Sequence, residues 1–367
     1  MSIERFETVI VGGGQAGLAM GYHLGRRHRE FVILEAAAQV GDAWRNRWDS
    51  LRLFSPARYD GLPGTPYPAP DWSFPTHEEF ADYLVDYAVR WELPVRTGVT
   101  VRRLWHDGER YVLDAGDQRY EADNVVVAAG YDRLPIVPPF ATELDPEVVQ
   151  LTPRDYRNPA QLRDGDVLVV GAGNSGADIA LDLAGTHRVL LSGRHPGQLP
   201  WHIDRRTARL FTPLVMAAFR HVLTVRTPMG RAMRRRALAH SGPLIRIKSA
   251  DLAAAGVERV GRTVGVTDGR PALADGRVLD VANVVWCTGF RPDAGWIDLP
   301  GLDAGGDPEQ KRGAAAGQPG LYFLGRLFQD SLASSMIQGV GRDAGHIAAH
   351  IASRATDERA ERQPLAA

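Results

Sequence analysis

The chain has 367 residues, with 44% hydrophobic and 24% charged side chains and a formal net charge of -1. That composition belongs to a globular protein with room for two or three domains, and it argues against a peptide, a lone binding module and a fibre. The 43 basic and 44 acidic residues balance, so no global field recruits nucleic acid; the single cysteine, Cys287, excludes an internal disulfide framework, a CxxC redox pair and a cysteine-rich zinc site.

The amino terminus, Met1 to Phe6, carries Glu4 and Arg5 and runs straight into a β-branched strand, which is not the layout of a signal peptide. The longest uncharged apolar stretch, Leu210 to Phe219, is too short to span a bilayer. A cytoplasmic location without an integral membrane span is the expectation. Thr8 to Val11 then forms a strand that reaches Gly12-Gly13-Gly14-Gln15-Ala16-Gly17, followed by a helix through Gly25 and a second strand from Phe31 to Leu34. The aromatic and proline-rich stretch Tyr59 to Phe74 is too long for a simple turn and is expected to shape the entrance to a site. Val125 to Val127 steps into Ala128-Ala129-Gly130, and Arg157 to Asp166, with Pro159 and Gly165, reads as a linker.

The first pattern then recurs. Val167 to Val170 reaches Gly171-Ala172-Gly173-Asn174-Ser175-Gly176, a helix runs through Leu183, and a strand follows from Arg188 to Leu191. Val284 to Trp286 steps into Cys287-Thr288-Gly289, and both small-residue steps read as crossings between domains. The predicted fold is therefore α/β, with two Rossmann-like dinucleotide-binding domains, residues 156–284 forming a domain inserted between 1–155 and 285–367. Ser334 to Ala352 reads as helix and Thr356 to Ala367 as a frayed tail.

In a GxGxxG loop the first glycine permits the bend, the second lets a pyrophosphate approach, and the third lets helix and strand pack. The anion rests on the helix N-terminus, where amide donors are unpaired and the dipole is positive. Glu35 and Arg194 stand equally far beyond Gly17 and Gly176, at the ends of the two second strands. A carboxylate there accepts from ribose hydroxyls and repels a 2′-phosphate, whereas an arginine attracts it. The first loop is thus expected to take a dinucleotide without that phosphate, and the second to prefer NADPH over NADH.

These loops, together with Gly41-Asp42-Ala43-Trp44-Arg45, Leu51-Arg52-Leu53-Phe54-Ser55-Pro56 and Trp286-Cys287-Thr288-Gly289-Phe290, resemble the two-dinucleotide flavoproteins. Within these the chain is most similar to the flavin-containing monooxygenases, the short bacterial class B flavoprotein monooxygenases related to the plant indole-pyruvate monooxygenases, over about residues 5 to 350. The resemblance implies FAD at Gly12, Gly14, Gln15, Ala16, Gly17 and Glu35, with Trp44 and Arg45 beside the flavin and Val101 near the adenine. It assigns cofactor contacts to Ala129, Gly130, Thr288 and Gly289 in the crossings, and puts Gly325 and Ser335 at the isoalloxazine end, beside a helix N-terminus that would stabilise negative charge on the reduced flavin. It implies NADPH on Gly171, Gly173, Asn174, Ser175, Gly176 and Arg194, with His195 close to the ribose phosphate.

The implied reaction passes one oxygen atom from a flavin C4a-hydroperoxide to a small soft nucleophile, a sulfide or amine, or to a carbonyl. Ser55 stands where the larger members have an asparagine that assists, and is the candidate catalytic residue. The family fingerprint F-x-G-x-x-x-H-x-x-x-[F/W/Y] corresponds to Pro146 to Tyr156, where only Tyr156 survives and Thr152 replaces the histidine. That keeps open an NADPH-dependent flavin oxidase or reductase that releases hydrogen peroxide or reduces another acceptor; a third reading is a redox-state sensor that binds both dinucleotides and signals through the basic insertion. The expected partners are a small-molecule substrate and molecular oxygen, not nucleic acid, with a homodimer left open. No metal site is expected: His346 and His350 lie one turn apart without an acidic third ligand. Residues 201–250 hold ten arginines and Lys248 against Asp204 alone. This run is read as a solvated face on an insertion covering a substrate channel, the alternative being contact with a membrane surface or an acidic partner.

Overall fold

The computed structural model of the chain describes residues 2–130, 134–203, 205–239, 242–301 and 309–362. It opens with strand β1 (Ser2–Val11), helix α1 (Gln15–Gly25) and strand β2 (Phe31–Leu34). Helix α2 (His77–Arg90) starts with a capping box: the Glu79 N–H donates to Thr76 Oγ1 at 3.1 Å and the Thr76 N–H to Glu79 Oε2 at 2.8 Å. β3 (Val95–Arg96) and β4 (Gln118–Val127) follow.

These strands form a nine-stranded sheet with β4, β1, β2 and β3 as successive parallel neighbours. Late in the chain β10 (Leu321–Phe323) pairs in parallel with the outer side of β4, bringing the carboxy-terminal part back to the first sheet. The last four residues of β1 are buried because the sheet is covered on both faces. One face packs Ile10, Leu18, Met20, Phe80 and Leu84 against Ile347 and Ile351 of the terminal helix; the other packs Val9 and Val11 against Leu104, Leu113 and Tyr120.

The second sheet is all parallel, in the order β8, β7, β6, β9, β5. Its members are β5 (Val149–Leu151), β6 (Val167–Val170), β7 (Val189–Ser192), β8 (Glu258–Val260) and β9 (Asn283–Trp286), with α3 (Asn174–Leu183) joining β6 to β7. β5 lies ahead of residue 156, and β9 runs past 284, so the second sheet reaches beyond the expected span at both ends. The Trp286 indole N–H, which donates to Gln150 Oε1 at 2.9 Å, fastens that outer strand. The linker is anchored rather than loose: Asn158 caps the turn Pro159–Gln161, and its Nδ2 donates to Asp49 of the first unit at 2.7 Å.

Between β7 and β8 the chain forms α4 (Ala208–Ala217), a π-helical turn (Ala218–Val222) and α5 (Pro228–Ala239). This insertion docks beside the terminal helix α6 (Ile337–Arg362), with the Leu332 N–H donating to Leu223 O at 3.0 Å and Thr224 bridging Ser331. The expected frayed tail from Thr356 is overturned as far as Arg362, which is still helical. Ala, Glu and Arg sustain the helix there, and the first breaker is Pro364. Residues 363–367 lie outside the described part.

Candidate functional site

Parallel pairing puts every loop of interest on one edge of each sheet. Val11 stands opposite Val127, and Val127 opposite Phe323, so Gly12 to Gly17, Ala128 to Gly130 and Leu324 to Gly325 all leave the C-terminal edge of the first sheet together. In the second, Val170 stands opposite both Ser192 and Trp286, which gathers the Gly171 loop, Arg194 and the Cys287 to Gly289 crossing. The C-terminal edge of an open parallel sheet is where such folds bind dinucleotides.

The two loops match closely. Gly12 and Gly171 sit at φ 109° and 112°, and the capping residues Gly14 and Gly173 at φ -77° and -76°. A Cβ on Gly12 would lie 2.5 Å from Ala128 O, and one on Gly17 only 1.9 Å from Gly12 O; on Gly171 and Gly176 the corresponding distances are 2.1 Å to Cys287 O and 1.8 Å to Gly171 O. A Cβ on Gly14, by contrast, meets nothing within 4 Å. That open space in front of the α1 N-terminus is the cradle a pyrophosphate requires, and neither α1 nor α3 carries an acid in its first turn to repel one. The residues therefore fit a dinucleotide at each loop.

Glu35 is held for ribose contact. Its Oε2 accepts from the Gly13 N–H at 2.6 Å and its Oε1 from the Ala37 N–H at 2.8 Å, leaving lone pairs for hydroxyl donors. The Val99 N–H donates to Glu35 O at 2.9 Å, which brings half-buried Val101 to the same neighbourhood. Trp44 closes over the start of α1: its indole N–H donates to Gln15 Oε1 at 3.1 Å and its ring meets Phe80 edge-on at 4.8 Å. Ala16 packs where a Cβ on Gly325 would lie, 3.4 Å away, joining the first loop to the turn ahead of α6, in which Ser335 is half-buried. Arg45 faces elsewhere. Its Nη2 bonds Asp82 at 2.6 Å and its Nη1 the Val40 carbonyl at 2.9 Å, so its guanidinium is committed to α2, and its pKa is raised chiefly by Asp82.

At the second loop, Arg194 and His195 are exposed beyond β7. The His195 Nδ1 accepts from the Gly197 N–H at 2.9 Å and its Nε2 meets Ser249 Oγ at 2.7 Å. The Arg259 Nη2 donates to Gly193 O at 2.6 Å, bringing a second guanidinium to that strand end, which nothing in the local sequence announces. Asn174 serves the scaffold with its side chain: Nδ2 donates to Pro243 O and Oδ1 accepts from the Ile245 N–H, both at 3.1 Å. Ser175 stands half-buried in the first turn of α3. Thr288 donates to the Ile136 carbonyl and Phe290 pairs with Pro135, so the two crossings run side by side.

Ser55 has a partner that sequence reasoning missed. Its hydroxyl donates to Asp60 Oδ1 at 2.5 Å, and Asp60 is wholly buried with no hydrogen-bond partner for Oδ2. Burial pushes the Asp60 carboxyl up to about 7, against the lowering effect of the Ser55 bond. Thr152, in place of the fingerprint histidine, is tied locally, its hydroxyl donating to Asp155 at 2.6 Å; Tyr156 is fully buried and donates to Asp182 at 2.6 Å. Burial pushes the Cys287 thiol far up, which makes it a packing residue. His350 Nδ1 meets the Tyr322 hydroxyl at 2.9 Å, and no cluster of three or more metal-ligating side chains exists among the described residues.

Residues 9–224 match the family model of the pyridine nucleotide-disulphide oxidoreductases. An oxidoreductase from Geobacillus kaustophilus, described as CzcO-like and uncharacterized, is 36% identical over 93% of this chain and 97% of its own. A probable indole-3-pyruvate monooxygenase of Arabidopsis thaliana, YUCCA7, is 29% identical over 86% of this chain and 82% of its own. Among solved structures, a flavin-containing monooxygenase from Stenotrophomonas maltophilia superposes with TM-score 0.78 at 28% identity, covering 96% of this chain and 99% of that one. With one cysteine in all, the chain cannot carry the internal disulfide that the family's description mentions. The chain belongs to the pyridine nucleotide-disulphide oxidoreductase family and, within it, to the flavin-containing monooxygenase type, a flavin-dependent NADPH oxidoreductase built on two Rossmann-like domains.

Proposed function

We propose that the protein is an FAD- and NADPH-dependent monooxygenase that transfers one oxygen atom from dioxygen to a small sulfide, amine or carbonyl compound. The observation that carries this reading is the pair of glycine loops with matching backbone angles and close approaches, with opposite charges at the following strand ends, Glu35 at one and Arg194 at the other. Gly12, Gly14, Gln15, Ala16, Gly17 and Glu35 would hold FAD; Gly171, Gly173, Ser175, Gly176 and Arg194 would hold NADPH, with Asn174 contributing only its backbone. When bound, the two cofactors supply hydride transfer and oxygen activation. The chain's part is to hold them, exclude water and place a few polar groups.

Ser55 and Asp60 form the proton-bearing pair in this account. While Asp60 is ionised, it takes the Ser55 hydroxyl hydrogen for itself. Once protonated, the acid can donate to Ser55 Oγ, and the serine hydrogen is released to bond a substrate or oxygen atom. With the Asp60 carboxyl near 7, this donor is available on the acid side of neutrality and withdrawn on the alkaline side.

Thr152 favours a second reading, in which reduced flavin returns oxygen as hydrogen peroxide, because a threonine bonded to Asp155 stands where the family has its histidine. Anaerobic reduction with NADPH followed by mixing with oxygen, without substrate, separates the two. A monooxygenase holds back the return of oxidised flavin and its peroxide; an oxidase gives both at once.

A further inference from the structure

Helix α5 of the insertion is the solvated basic face its composition suggests, with Arg231, Arg234 and Arg235 exposed, but α4 is not. Helix α4 spends its inner stripe, Ala208, Thr212 and Met216, against the protein. On the opposite side it carries Leu210, Phe211 and Leu214 at 79%, 56% and 72% exposure. A surface helix with its apolar stripe already buried normally turns polar residues outward, so Leu210, Leu214 and the still exposed part of Phe211, whose ring centroid lies 6.4 Å from that of Trp201, form an unusual apolar surface. We propose that the outward face of α4 is a docking surface for an anionic lipid bilayer, with the helix lying in the plane of the headgroups.

Charge identifies the occupant. Arg205 and Arg206 precede the helix and Arg220 follows it in the π-helical turn, all exposed, and the sequence holds no Asp or Glu from 205 to 250. Arg206, four residues before Leu210, stands beside the Leu210, Phe211 and Leu214 face, where its long guanidinium stem can lie along the acyl boundary and reach phosphates, while Arg209 turns back to stack over Trp72 at 5.6 Å. An apolar ridge beside unopposed arginines suits a surface that is itself apolar below and negatively charged above, and no described helix is long and apolar enough to cross a membrane. The contact is therefore peripheral. It leaves α4 free to dock while the following residues hold the turn ahead of α6 through Leu223 and Thr224.

Co-sedimentation of the full-length holoprotein with vesicles of equal parts phosphatidylglycerol and phosphatidylcholine, against pure phosphatidylcholine, tests this. The protein is expected to pellet with the anionic vesicles, to be released by high salt, and to lose at least about tenfold in partition as a Leu210→Glu, Leu214→Glu double variant that keeps its flavin and its thermal midpoint. Arg205→Gln, Arg206→Gln should weaken only the salt-sensitive part. Three results would overturn the proposal: no pelleting with anionic vesicles, pelleting unchanged in the double variant, or a wild-type dimer by light scattering that the double variant splits into monomers.

Discussion

A methyl group is enough to separate the roles of two glycines in the same loop. Gly14 has ordinary backbone angles and empty space where a Cβ would stand, so Gly14→Val should fold with its thermal stability intact yet purify without flavin colour. Gly17→Ala would drive a Cβ to 1.9 Å from Gly12 O, so it should lose soluble protein as well. Yellow Gly14→Val protein would remove the first loop from cofactor binding. At the second loop, Arg194→Ala should raise the NADPH KM by about tenfold to a hundredfold, the worth of a charge-assisted hydrogen bond, and leave NADH nearly unchanged. Equal effects on both cofactors would defeat the phosphate role. Asp60 gives a pH test. Its carboxyl holds a proton up to about 7 in the folded protein and to about 3.9 unfolded, so its favourable contribution is complete below the unfolded value and is lost as pH rises through 7. Asp60→Asn should therefore gain on the wild type in thermal midpoint between about pH 4 and 7 and hold that margin above; a margin independent of pH would contradict the buried, proton-bearing assignment. The glycine spacing and Glu35 were legible because they act through local backbone geometry. Asp60 was not, because nothing near it in sequence announces burial, which arises from packing around the Tyr59 to Phe74 stretch.

At the scale of elements, the strand from Phe31 to Leu34 and that from Val167 to Val170 end where their apolar runs end. Helix α2 is set by its capping box, and Thr76→Ala should cost about 1 kcal/mol in urea unfolding, whereas Thr76→Ser should cost little. The strand Val149–Leu151 was invisible because three residues carry no period; it exists through pairing with β9 and the Trp286 to Gln150 bond. The end of α6 departs from expectation for a related reason: composition at a terminus suggests fraying, while the good helix formers from Glu358 to Arg362 continue a helix already anchored by Val340, Ala344, Ile347 and Ile351.

For the whole molecule, two copies of one local pattern disclosed two Rossmann-like sheets, and the late strand Leu321–Phe323 beside Gln118–Val127 closes the first sheet around the inserted one. The orientation of the insertion could not be read in advance, since the same apolar residues satisfy either an inward or an outward face until the partner surfaces are known. The central claim is that one atom of dioxygen reaches an organic substrate at the expense of NADPH. Turnover of a small thioether such as methyl phenyl sulfide with NADPH under isotopically labelled dioxygen tests it most directly. The account predicts sulfoxide carrying one labelled atom, formed in step with NADPH oxidation. Labelled hydrogen peroxide in place of labelled product would contradict it.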